Sequence, residues 1–332
     1  MLFKKTLFVI IMLLGLTAFS QNETKYPQQK FFGSLYTGFF YDFARVNTPV
    51  TGFQVSTALV GMKSQVAENI SVKIIYDVTR TTSDIKVFDT AGNNLNVLYF
   101  EGSHYTAFLK MAEVDWEFAP GFEINAGQLL NQQYLTLQDR FWGYRFVAVT
   151  MQEMFRFGSP ADFGIRFTKH FGKKGSFSLG AVNGDGPFKL QDNDGSLLYF
   201  QNMQYRPGNF IFQWYGDFIN MKNVMHNSFF AGYKKDRKRI GVEYDRIDSL
   251  MVEKNNYTEG ISIYGSVDIN EKIDVFFRTD WLSAVPKYGI KNEYKIIPGI
   301  NYHKNTFNTA VDLQYFTGTG SAMVYWHFGV RF

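Results

Sequence analysis

Ala322-Met-Val-Tyr-Trp-His-Phe-Gly-Val-Arg-Phe332 is the stretch on which the fold turns. Val324, Trp326, Phe328, Val330 and Phe332 occupy every second position, with Met323, Tyr325, His327, Gly329 and Arg331 between them. A period of two puts one set on each face of a β-strand, so this strand has one apolar and one wetter side. Such a strand fits the edge of a soluble sandwich as well as a barrel, and the rest of the chain has to separate the two.

The other terminus does so. Lys4 and Lys5 precede an uncharged apolar run from Thr6 to Phe19, and Ala18 and Ser20 put small residues at −3 and −1 of a cut before Gln21. This is the layout of a secretory signal peptide, too short and too soon cut to be a transmembrane helix. The expected division is a leader at 1–20 and a single barrel domain at 21–332. No Cys occurs in the chain, which excludes a lipoprotein-type signal, a disulfide framework, thiolate metal sites and thiol catalysis.

Aromatics make up 18% of the residues, with 35 Phe and 20 Tyr, yet mean hydropathy is −0.18. No second apolar run reaches the roughly 20 residues of a helical span. Apolar residues spread thinly between polar ones are what a transmembrane barrel requires, because lipid-facing and interior-facing positions alternate. A secreted sandwich or lectin is the alternative. Without Lys4 and Lys5, 32 basic residues face 30 acidic ones. The one basic run, Lys234-Lys-Asp-Arg-Lys-Arg239, sits between strand-like segments and reads as a solvated turn, so nothing points to nucleic acid.

Sixteen strand-like segments can be marked, at about 31–46, 52–66, 70–80, 104–118, 121–130, 161–171, 175–183, 196–205, 209–219, 226–235, 237–247, 256–268, 272–282, 292–302, 305–316 and 322–332. Fourteen or eighteen strands stay open, since 84–102 has room for another. Tight turns such as Ala119-Pro-Gly121, Gly172-Lys-Lys-Gly175 and Arg206-Pro-Gly208 alternate with longer connections at 81–103, 131–160, 184–195, 248–256 and 283–292. The expected fold is an all-β, antiparallel, up-and-down transmembrane barrel with short periplasmic turns and long outer loops. Trp116, Trp214, Trp281 and Trp326 are expected in its interfacial girdle.

Residues 131–160 break the rhythm. Val147, Met151, Met154 and Phe155 recur at helical spacing, Gly158-Ser-Pro160 would end a helix, and Arg145, Gln152 and Arg156 fall on the opposite stripe. A long loop with structure of its own is usually functional. In a barrel its natural place is folded inward, as a constriction.

Two resemblances follow from these residues. The aromatic end at Phe332 resembles the closing strand of bacterial outer-membrane barrels, which implies recognition of this strand by the barrel assembly machinery. Glu113-Val-Asp-Trp-Glu-Phe-Ala-Pro-Gly-Phe-Glu-Ile-Asn-Ala-Gly-Gln128, Arg140-Phe-Trp-Gly-Tyr-Arg145, Ala161-Asp-Phe-Gly-Ile165 and Val182-Asn-Gly-Asp-Gly186 together resemble the phosphate-selective porin O/P family over roughly 106–186. That resemblance implies passive diffusion of small solutes, with Arg140, Arg145 and Arg156 as the pore-loop arginines. Alternation puts Asp77, Glu113, Asp115, Glu117, Asp217, Glu243, Asp245, Asp274, Asp280 and Asp312 on the inner wall, against Lys73, Arg166, Arg239, Arg278, Lys295 and Arg331. An anion filter wants Arg and Lys ladders, and this wall leans acidic, so the phosphate preference is not carried over. The expected constriction sets Arg140, Arg145, Arg156 and Arg166 against Glu113, Asp115 and Glu117. The plainer alternative is that these charges pair and stiffen the loop.

Other signals are weaker. Asp192-Asn-Asp-Gly195 lacks the Glu that closes a calcium loop, and Gly184-Asp-Gly186 lacks the Lys-Ser or Lys-Thr of a phosphate cradle. Neither a Gly-x-Ser-x-Gly elbow nor a His-Glu-x-x-His pair exists. The five histidines are scattered, and a Ser-His-Asn lipase assembled from distant strands has no support in the sequence. The reading is of a non-enzymatic porin needing neither cofactor nor metal. Its partners would be outer-membrane lipid and lipopolysaccharide, and self-association stays open. A structural or partner-binding barrel of a larger envelope complex is the alternative.

Overall fold

The computed structural model describes residues 26–44, 51–82, 87–88, 94–95, 103–133, 139–187, 195–220, 224–249, 257–285, 292–318 and 320–332. The signal-peptide reading and Asp192 to Asp194 lie outside the described residues. Sixteen strands close into one antiparallel barrel in simple sequence order. They are β1 (Gln28–Asp42), β2 (Thr51–Ala67), β3 (Ile70–Thr82), β4 (Ser103–Ala119), β5 (Phe122–Leu130), β6 (Ala161–His170), β7 (Gly175–Val182) and β8 (Leu198–Tyr205). The second half comprises β9 (Phe210–Ile219), β10 (Val224–Lys235), β11 (Lys238–Ser249), β12 (Tyr257–Asp268), β13 (Ile273–Val285), β14 (Glu293–Lys304), β15 (Phe307–Phe316) and β16 (Ser321–Arg331). Between 84 and 102 the described residues hold only a minimal ladder of Val87–Phe88 with Asn94–Leu95, separate from the barrel.

The alternation sorts the faces. Along β13, Asp274, Phe276, Arg278, Asp280 and Leu282 are buried, while Val275 and Phe277 are exposed. Along β16, His327 is buried and Val324, Trp326 and Val330 are exposed. Around the outside, Phe53, Tyr76, Val114, Ile165, Leu179, Phe229, Ile263, Ile300 and Val311 all stand open. So large a continuous apolar exterior is unstable in water and stable in lipid. No described helix is long and apolar enough to cross a membrane.

Closure is local and specific. Ser34 to Asp42 of β1 pair with Arg331 to Met323 of β16. Beyond the last pair, the Phe332 N–H donates to the Gly33 carbonyl at 3.0 Å and the Gly33 N–H donates to the Phe332 carbonyl at 2.8 Å. The Phe332 ring lies where a Gly33 Cβ would point, 2.5 Å away. An even strand count returns both chain ends to the barrel end that carries the tight turns, where Asp236 and Asn305 adopt left-handed φ values of 50° and 54°.

One bulge changes the reading of a wall. Ile75 faces Met111 but Tyr76 faces Leu109, so Lys110 is an extra residue in β4. Both Lys110 and Met111 turn inward, and Lys110 Nζ reaches Asp77 Oδ2 at 2.5 Å. Strict alternation leaves Lys110 off the inner wall.

Candidate functional site: the loop seated against the inner wall

The segment after β5 contributes to both packed apolar clusters found among the described residues. Phe141, Trp142, Tyr144, Phe146, Val147 and Ala148 cluster with Tyr36 of β1, Phe230 of β10, Tyr264 of β12, Phe276 of β13, Ile297 of β14 and Ala310 of β15. Those wall residues are on the inward face, so the loop lies against the inner wall. Trp142 is 1% exposed and meets Tyr264 and Phe276 edge-on at centroid distances of 5.5 and 5.9 Å. Farther along, Met151 and Phe157 pack with Leu282 of β13.

Wall glycines make the room. A Cβ on Gly232 or Gly241 would lie 2.8 or 3.1 Å from Phe141, one on Gly260 2.9 Å from Met151 Sδ, and one on Gly329 3.1 Å from Phe146. Gly143 has φ of 77°, and a Cβ there would meet Arg239 Nη1 at 2.5 Å.

Polar contacts pin the same seat. Arg278 forks onto Asp280 at 2.8 and 2.7 Å and donates to the Val149 carbonyl. The Tyr144 hydroxyl donates to Asp274. Burial pushes the Tyr144 phenol up to about 12, against the nearby Arg239 cation, and the Asp274 bond adds to the rise. Gln152 Nε2 donates to both Asp245 oxygens at 3.0 and 2.9 Å and to Ser228 at 3.1 Å. Gln133 joins that group, 3.0 Å from His226 Nε2 and 3.1 Å from Asp245. His226 in turn lies 3.3 Å from Asp217 and from Asp245.

Two short helices replace the expected longer one. α1 spans Asp139–Trp142 and α2 spans Met151–Met154, capped at Thr150. Val147 lies outside both, because the run from Val147 to Phe155 is held by separate wall sockets and not by a helical stripe. Gln152, expected on the polar stripe, is fully buried against the wall.

The charges do not face each other as expected. Arg145 binds the loop's own acids, Asp139 at 3.1 Å and Glu153 at 2.6 and 2.9 Å, and none of Glu113, Asp115 or Glu117. Burial disfavours the charge on both partners, but their attraction outweighs it: the Arg145 guanidinium is held well above its usual range and the Glu153 carboxyl below its own. Arg156 is exposed, with left-handed φ of 58°, and borders a cavity that none of Glu113, Asp115 or Glu117 lines. Glu117 is exposed at the turn, where it accepts from the Gly121 N–H at 3.0 Å. Glu113 is buried between Lys73 at 3.3 Å and Arg166 at 3.9 Å. Asp115 accepts from Ser71 at 3.1 Å and Asn125 at 2.5 Å, and Arg166 Nε donates to Asn125 at 2.9 Å. The wall acids are therefore paired within β3–β6.

Arg140 does keep an open position. It is exposed and borders, with Arg166, Lys173, His170, Arg206 and Glu123, a cavity of about 520 Å³ near the tight-turn end. Sequence reasoning missed the inward sockets Gly232, Gly241, Gly260 and Gly329, and the Gln133–His226–Asp245 group. Inward parity of the glycines was the available signal, while the histidine group depends on strand register.

These features define a class, the sixteen-stranded porin-type barrel with a structured loop on its inner wall. No protein-family model matches the chain and no curated protein matches it. Solved porins share its fold. Salmonella typhi OmpF in complex with daunomycin superposes with a TM-score of 0.66 at 12% identity, covering 92% of this chain and 98% of that one. An anion-selective porin from Comamonas acidovorans gives 0.64 at 11% identity, covering 92% and 99%. OmpT, an outer-membrane protein of Vibrio cholerae, gives 0.60 at 12%, covering 94% and 99%. At these identities the likeness is one of fold.

Proposed function

We propose that the chain is an outer-membrane porin, through which small hydrophilic solutes or ions diffuse passively. The observation that carries this reading is the one-sided seating of the loop. Its aromatic face is taken up by β10–β15 with β1, while the β3–β8 side keeps a charged wall, Arg140 and the cavity of about 520 Å³. A polar passage beside an anchored loop is what a diffusion pore needs. On this reading Arg140, Arg166, Glu113 and Asp115 border the path, Arg156 lies toward its other end, Arg145 stiffens the loop and Glu117 caps a turn.

The tight turns and both chain ends then lie in the periplasm, the long connections outside, and residues 1–20 are a cleaved leader. The exposed apolar band contacts lipid with lipopolysaccharide in the outer leaflet, and Phe332 is the residue read by the assembly machinery. Planar bilayers containing purified protein test the reading: step conductances with a measurable reversal potential are expected, and a folded barrel that passes no current overturns it. The aromatic core inside the barrel favours one competitor, a plugged structural barrel of an envelope complex, and the same recording excludes or selects it.

A further inference from the structure

A second cavity lies at the opposite end of the interior, and its chemistry departs from that of the rest of the wall. Leu129 is the last residue but one of β5, Val182 ends β7, Leu198 opens β8, Ile219 ends β9 and Val224 opens β10, all at the end that carries the long connections. With the buried Phe157 of the loop they enclose about 160 Å³. Apolar side chains near the inward ends of five strands do not suit a wall whose only task is to be wet. An apolar cavity of about 150 Å³ is enough to bind benzene. Phe200 and Tyr215 stack at 6.1 Å along one side of it.

The charges at this cavity are unequally committed. Asp162 accepts from the Gly184, Gly186 and Phe163 N–H groups at 2.7, 3.2 and 2.7 Å. Asp217 is held by His226 at 3.3 Å. Arg156 has no side-chain partner among the described residues, and its left-handed backbone is the only such non-glycine conformation in the described part of the loop. A residue in a strained conformation that presents an exposed guanidinium beside a largely apolar cavity is a recognisable binding arrangement.

We infer that this cavity is a binding site for small amphipathic carboxylates, the apolar body seated against Phe157, Leu198 and Tyr215 and the carboxylate on Arg156. The inference deepens the porin reading by naming a solute class, and it rests on that reading for entry from the long-loop end.

Calorimetry on the folded, detergent-purified full chain tests it, with phenylacetate as probe, 2-phenylethanol as its uncharged match and acetate as the body-less control. Phenylacetate should bind about tenfold or more tightly than 2-phenylethanol, the range of one charge-assisted bond, and acetate should not bind. Arg156→Gln should erase the preference for the acid and Arg156→Lys should restore part of it. Ile219→Trp, which fills the cavity, should weaken both aromatic ligands. Absence of phenylacetate binding to the parent, or an unchanged acid-to-alcohol ratio in Arg156→Gln, overturns the inference. A barrel that binds phenylacetate but passes no current keeps this site and sinks the porin reading. One that conducts but binds neither aromatic ligand does the reverse.

Discussion

The β10–β15 side and the β3–β6 side of the barrel interior both bury charges, but the first also carries aromatics that the loop covers. On β10–β15 with β1, inward positions carry Phe230, Tyr264, Phe276, Ile297 and Ala310, and the loop covers them with Phe141, Trp142, Tyr144 and Phe146. On β3–β6, inward positions carry Lys73, Asp77, Lys110, Glu113, Asp115 and Arg166: Glu113 pairs with Lys73 and Arg166, Asp77 with Lys110, and Asp115 accepts from Ser71 and Asn125. The contrast explains how a long loop finds a fixed place inside a polar barrel. Packing of apolar surface supplies the binding energy, while a wall of matched charges offers a displaced aromatic nothing but desolvation. The loop has one favourable side, and the cavity of about 520 Å³ lies on the other.

The largest effect should come from removing the centre of that seat. Trp142 is 1% exposed, and Trp142→Ala should destabilise the seated loop by about 3–5 kcal/mol, the usual cost of a large buried aromatic. Protease cleavage within 139–157 of the folded barrel should become fast, and conductance should rise and grow noisy. An intact, quiet variant would mean that the polar contacts alone hold the loop. Gly260→Val reaches the same end from the wall. A Cβ there already lies 2.9 Å from Met151 Sδ, so the extra volume should cost about 1–3 kcal/mol. A matching insertion on the open side, Ser176→Val beside the cavity of about 520 Å³, should leave loop cleavage unchanged.

The tryptophans show what the sequence could and could not reveal. Trp116, Trp214, Trp281 and Trp326 sit on strands at outward parity, and alternation alone places them; Trp116 and Trp326 are 44% and 51% exposed. Sixteen strands, their faces and the odd segment at 131–160 were readable for the same reason, since a period of two survives without knowledge of any partner. Trp142 was not readable, because its place depends on Tyr264 and Phe276, contacts set by strand register and by the path of a loop. Lys110 was missed because one extra residue reverses parity within β4 and leaves no mark on composition. The pairing of Arg145 with Asp139 and Glu153 was equally hidden: the two acids were in view, but a continuous helix would have carried all three residues differently.

A smaller effect separates the roles of the two loop arginines. Arg140 is exposed beside the cavity of about 520 Å³, where on the porin reading reduced hydration strengthens the action of each charge on a passing ion. Arg140→Ser should shift the bilayer reversal potential toward cations, changing the permeability ratio by about twofold. Arg145 is neutralised by its own acids, so Arg145→Ser should loosen the loop, read as current noise, without a matching shift. Equal selectivity shifts from both variants would erase the distinction between a path-lining arginine and a structural one.

The smallest effect at neutral pH, and the finest test of the seat, is its acid response. Arg145 holds the Glu153 carboxyl below the usual carboxylate range. A carboxyl with a depressed folded pKa contributes stability that is complete above its unfolded value, about 4.3, and is lost as pH falls through the folded value. The loop should therefore stay seated from pH 7 to about pH 5 and loosen only below about pH 4. Acid-stable protease cleavage of 139–157 measured across this range should show that step. In Glu153→Gln the step should flatten, with the loop already looser at pH 7, because Arg145 then keeps only Asp139 at 3.1 Å. A step of unchanged size and midpoint in Glu153→Gln would move the acid sensitivity to the wall carboxylates that hold the loop, Asp274 against Tyr144 and Asp245 against Gln152.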